Sequence, residues 1–212
     1  AGPLFPAAPP GMVTDVAEII PADVEARITT QLTRLRDSTG GEVAIVTLPD
    51  IGDHEASDVA LDIGRSWGVG GKYPVGDRRR NAGAVLLVVP RTEDHGGTVY
   101  LASGQGTEGF LTDAMAGRII DAMIPALRAG DYGAAIEHGS TLITDLVARE
   151  LGATDPALLV QRRDGLPSWV LVFLIVLVIV IVVRVVIGSV ASGGGKGKGS
   201  KYRGEYIFRK EG

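Results

Sequence analysis

Apolar residues recur along this chain in three rhythms, and each predicts a different kind of element. Val24, Ile28, Leu32 and Leu35 fall three or four residues apart behind Pro21, which predicts an amphipathic helix that Gly40-Gly41 ends. Val43-Ala-Ile-Val-Thr-Leu48 and Ala84-Val-Leu-Leu-Val-Val89 are apolar at nearly every position. Such runs predict strands covered on both faces. Between them, Ala56, Val59, Ala60, Ile63 and Trp67 give a second helix closed by Gly68. A short β-like run, Thr98 to Ala102, precedes two more helical patterns: Met115, Ile119 and Met123, then Tyr132, Ile136, Ile143 and Leu146, separated by Pro125 and Gly130. The third rhythm is the absence of one. Trp169 to Ile187 is almost continuously aliphatic, long enough to cross the ~30 Å hydrocarbon layer as a helix.

Strand, helix and strand of these lengths read as a right-handed crossover joining a parallel pair. The short loop Pro90 to Gly97 then favours an antiparallel return. The predicted class is α/β, a mixed and mostly parallel sheet with helices on both faces, plus one C-terminal transmembrane helix. Residues 1–11 read as an extended lead-in, 12–152 as the folded domain, 153–167 as a linker, 168–190 as the membrane helix and 191–212 as a basic tail. The hairpin also brings the chain back to the edge where strand 84–89 begins. Gly104 to Asp113 is therefore expected beside the loop Gly70 to Asn81.

Charge adds a topology. The net charge is −4, yet from Lys196 onward six Lys/Arg face two Glu, so the rest of the chain carries −8. Lys196, Lys198, Lys201, Arg203, Arg209 and Lys210 crowd one side of the apolar run, which predicts a cytoplasmic tail and a periplasmic or otherwise extracytoplasmic domain. A bacterial inner membrane or its equivalent fits this single-pass arrangement. The first residue, Ala1, fits removal of a signal peptide. Trp169 opens the span at one interface, and Arg184, about 22 Å along a helix from it, falls near the other and can snorkel. No basic patch interleaved with aromatics occurs in the acidic body, so nucleic acid is not an expected partner. The chain has no cysteine, which excludes disulfides and thiol chemistry.

Chemistry concentrates in Gly104-Gln-Gly-Thr-Glu-Gly-Phe-Leu-Thr-Asp-Ala114. Its glycines spell the dinucleotide fingerprint, but no second parallel strand follows, so a nucleotide is not expected. Glu108 and Asp113, with Asp77, are candidate ligands for Ca²⁺ or Mg²⁺, which favour oxygen donors. The plainer reading has Thr112 capping the next helix and Asp113 complementing its dipole. Arg78, Arg79 and Arg80 could hold an anion or contact a partner, or form a solvated patch. The three histidines, His54, His95 and His138, lack zinc-ligand spacing.

Trp67-Gly-Val-Gly, Asn81-Ala-Gly-Ala-Val-Leu-Leu-Val-Val, the Gly104 motif and Gly130-Asp-Tyr occur in an order that resembles the TPM domain family. That family includes membrane-anchored bacterial proteins and the photosystem II repair proteins of cyanobacteria and plastids. The resemblance spans about Val13 to Leu151. It implies an α/β sandwich, acidic residues able to bind a divalent cation, and phosphatase activity in some members. Two functions are expected from it. The first is an accessory or maintenance subunit of an integral membrane protein complex, photosynthetic or respiratory, anchored in the lipid bilayer. The second is a cation-dependent acid phosphatase tethered to the membrane.

Overall fold

A computed structural model describes residues 4–71, 73–93, 95–160 and 175–181. In chain order the elements are β1 (Val13–Asp15), α1 (Ala22–Thr39), β2 (Glu42–Thr47), α2 (Ala56–Trp67), β3 (Gly83–Val89), β4 (Thr98–Ser103), α3 (Asp113–Arg128) and α4 (Tyr132–Leu151), then a 3-10 turn, Pro156–Leu158. The strands form one sheet in the order β1-β2-β3-β4. β1 and β2 are parallel, as are β2 and β3, while β4 runs antiparallel to β3 with Leu86 opposite Leu101.

The central strands β2 and β3 each feed two cores. Val43, Ile45, Leu86 and Val88 point to the face covered by α1, α3 and α4, where Ile28, Leu32, Ile136 and Ile143 are fully buried. Their neighbours Ala44, Val46, Val85 and Leu87 point to the other face, against Val59, Ala60 and Ile63 of α2. With about 1.5–3 kcal/mol for each large side chain removed from water, the double burial explains why β3 and the middle of β2 are apolar at every position. The crossovers through α1 and α2 step the same way across the sheet but put their helices on opposite faces. They therefore have opposite hands, and only one follows the right-handed rule.

Several elements depart from the sequence expectation. β1 lies at the start of the expected domain, in a stretch for which no strand was expected. Its three residues are too few to show a period, and a side-chain knot secures its end. The Asp15 carboxylate accepts from the backbone N–H groups of Ile19 and Ile20 at 3.2 and 2.9 Å and from the Thr47 hydroxyl. Pro125 does not separate two helices, because α3 runs through it to Arg128. It sits in the last turn, where its missing N–H costs one backbone bond, and Gly130 makes the break with a φ of 79°. The 3-10 turn buries Leu158 at 2% exposure beside α1 and α4. The compact unit accordingly runs Ala1–Gln161.

A second unit comprises Arg162–Gly212. Its described part, 175–181, is helical and exposed. Among the described residues, no helix is long and apolar enough to cross a membrane. Most of the predicted span 168–190, including Trp169 and Arg184, lies outside the described residues, as does the tail.

Candidate functional site

At one end of the sheet, where β2 and β3 begin and β4 ends, three loops press backbone against backbone. Gly104 N–H donates to Gly83 O at 2.8 Å, and Gly106 N–H donates to Asn81 O at 3.0 Å. Asn81 itself takes a positive φ of 53°, unusual outside glycine. A β-carbon on Gly106 would fall 2.7 Å from Ala82 N and closer still to Arg80 O. One on Gly83 would lie 2.6 Å from Val69 O. The Gly-x-Gly spacing therefore serves close approach of the chain to itself. Thr107, fully buried, locks the junction through its hydroxyl, which lies 2.8 Å from Gly83 O and 2.9 Å from Gly104 O. This contact places segment 104–107 beside 81–83, as the hairpin geometry requires.

Beside the junction opens a cleft of about 470 Å³, between α2 and the ends of β3 and β4. Arg65 of α2, Asn81, Ser103, Gln105 and Glu108 give it polar groups, while Ala60, Leu61, Val69 and Val85 give it an apolar wall. Asn81 Nδ2 donates to Gln105 Oε1 at 3.3 Å across the loop junction. Glu42 was not singled out from the sequence, yet it shapes this end. Its carboxylate accepts from the Gly70 and Gly71 N–H groups at 2.8 and 3.3 Å, fixing the loop after α2. The available signal was an acid at the first position of an otherwise apolar strand.

The loops meet as the hairpin predicts, but their charged side chains take other partners. Arg79 clasps Asp77 side-on, donating from Nε and Nη2 at 3.0 and 2.6 Å, and lies over the Tyr73 ring at 4.3 Å. That side-chain bond, with the Arg79 N–H, holds the Asp77 carboxyl down to about 2. Arg78 donates to Glu150 O at 2.6 Å, in the last turn of α4, where a cation complements the helix dipole. Arg80 donates to Tyr73 O at 3.1 Å. The carboxylates of Glu108 and Asp113 are exposed and make no hydrogen bond or ion pair with a described residue. Thr112 caps α3, accepting from Met115 N–H at 3.3 Å, with Asp113 in the first turn.

Among the described residues, no three His, Cys, Asp or Glu side chains stand together to hold a metal ion. Asp77, committed to Arg79, does not complete a ligand set with Glu108 and Asp113. What the arrangement offers is a part-polar, part-apolar cleft with a rigid glycine-built rim.

A model of the TPM domain matches residues 13–146, more than half of the chain. Among solved structures, the N-terminal domain of a Porphyromonas protein (P. gingivalis) is 32% identical, with a TM-score of 0.56, over 68% of this chain and 86% of that one. The N-terminal domain of a Corynebacterium glutamicum protein is 14% identical, with a TM-score of 0.49, over 78% of this chain and 95% of that one. A protein from Bizionia argentinensis is 16% identical, with a TM-score of 0.48, over 72% of this chain and 94% of that one. No curated protein matches the chain.

Proposed function

Because this chain belongs to the TPM domain family, we propose that it is an accessory or maintenance subunit of a membrane protein complex. In this reading the TPM domain is held outside the cytoplasm by the apolar run Trp169–Ile187, and the cleft beside α2 receives part of the complex. The observation that carries it is the division of labour at the loop junction. Arg78 and Arg80 donate to the protein's own backbone, and the neighbouring cleft presents Asn81, Ser103, Gln105 and an apolar wall, with Arg65 and Glu108 as its charged groups. Such a lining suits a protein contact, in which a few polar groups orient an apolar patch. The membrane anchor rests on the length of the apolar run and on the basic tail beyond it.

The hydrolytic alternative asks Glu108 and Asp113 to act without Asp77. Gentle detergent extraction of native membranes, native separation and mass spectrometry distinguish the two. Migration in fixed ratio with a large complex supports the subunit. Migration alone, with phosphate ester hydrolysis that Glu108→Ala and Asp113→Ala abolish in a folded protein, would overturn it.

A further inference from the structure

The segment before β1 contains Leu4-Phe-Pro-Ala-Ala-Pro-Pro10, and by composition it should simply extend into solvent. It does so everywhere except at two residues. Phe5 and Pro6 are half-buried, while Leu4 and residues 7–11 are exposed. Both buried residues meet the same side chain, Trp67, the last residue of α2. The Phe5 ring stands edge-on to the indole, with centroids 6.1 Å apart and planes at 85°. The indole Nε1–H donates to the Pro6 carbonyl at 2.9 Å. Directly alongside lies a groove of about 400 Å³ lined by Trp67, Val69, Met12, Arg36 and the beginning of β2, with Pro9 beside them.

This combination has a specific chemical logic. Proline has no N–H, so a proline-containing segment cannot join the sheet as a ladder strand. It can be read only through its carbonyls and its preorganised extended shape, and an indole that donates to a prolyl carbonyl beside an aromatic contact reads both. One hydrogen bond and one ring contact are little with which to order eight residues against their chain entropy. A ligand of the same chemistry can therefore compete for the place.

We propose that Trp67 and the adjoining groove form a binding site for an extended, proline-containing segment of a partner protein. In this structure the chain's own residues 5 and 6 occupy Trp67 as an internal ligand, and Pro9 lines the groove beside it. The site shares Val69 with the wall of the cleft but none of its polar groups, and it stands whether or not the chain belongs to a membrane complex.

The test uses the full chain in detergent with Trp169→Phe, which leaves Trp67 as the single tryptophan of the two. Phe5→Ser with Pro6→Gly should release the segment and red-shift Trp67 emission, while the far-ultraviolet dichroism stays unchanged. The peptide Leu-Phe-Pro-Ala-Ala-Pro-Pro should then return the emission saturably, and the parent chain should require at least tenfold more peptide for any response. A peptide with Ser-Gly in place of Phe-Pro should have no effect. An unshifted emission on release, or no saturable return with the peptide, would overturn the proposal. A return that depended on protein concentration without peptide would assign the site to a second copy of this chain instead.

Discussion

Two charge-rich segments meet at the same end of the sheet, and they behave oppositely. The arginine loop, Asp77 to Asn81, is wholly engaged: Asp77 with Arg79, Arg78 with the end of α4, Arg80 with Tyr73 O. The acidic segment, Glu108 to Asp113, leaves both carboxylates to solvent and engages its neutral Thr107 and Thr112 instead. Opposite charges placed side by side by the hairpin did not find each other. Local geometry decided the outcome, because a bidentate Arg–carboxylate pair two residues apart, or an arginine on an adjacent helix end, orders fewer side-chain torsions than a pair across the junction. The contact between the segments is therefore made by backbone and glycine, not by charge.

Substitutions can break this contrast in graded ways. Gly106→Ala should be the most damaging, since its β-carbon meets Ala82 N at 2.7 Å with backbone on both sides unable to yield. A loss of about 3 kcal/mol is expected for such overpacking, read as a lower urea midpoint with an unchanged slope. Thr107→Val keeps the shape but removes the hydroxyl that faces Gly83 O and Gly104 O, at an expected cost of about 1–2 kcal/mol. Thermal unfolding of that variant against Thr107→Ser, which keeps the hydroxyl, isolates the bond.

Asp77→Asn sharpens the comparison through pH. The Arg79 guanidinium holds the Asp77 carboxyl down to about 2 in the folded chain, below the ordinary aspartate value of 3.8. Its stabilising share is therefore complete above the higher value and is lost as pH falls through the lower one. The parent should lose stability more steeply than Asp77→Asn over that window, measured by urea unfolding at stepped pH. Smallest of all, Glu108→Ala should change stability by no more than about 0.5 kcal/mol, because no partner is removed. A large loss there would show that the acidic segment is engaged after all.

Much of this architecture was legible from the chain. β2 and β3 announced themselves because both faces are covered, so apolar residues fill nearly every position. The hairpin and the meeting of 104–107 with 81–83 followed from loop length alone. What escaped was fixed by single side chains that carry no periodicity. Asp15 ends a three-residue strand, Glu42 holds the loop after α2, and Leu158 docks a turn that composition marked as linker. Pro125 misled because proline is tolerated in the last turn of a helix that other contacts hold in place. Trp67 was legible as a core residue, yet its indole N–H reaches a segment sixty-one positions earlier.

The most direct test is photo-crosslinking in native membranes from a photoreactive side chain at Gln105, on the rim of the cleft, compared with one at exposed Thr30 of α1 on the opposite face. The account predicts one discrete higher-mass adduct from Gln105, containing a protein of the host complex, and none from Thr30. Adducts of equal yield from both positions, or none from Gln105, would contradict the assignment of the cleft as the surface that meets a partner.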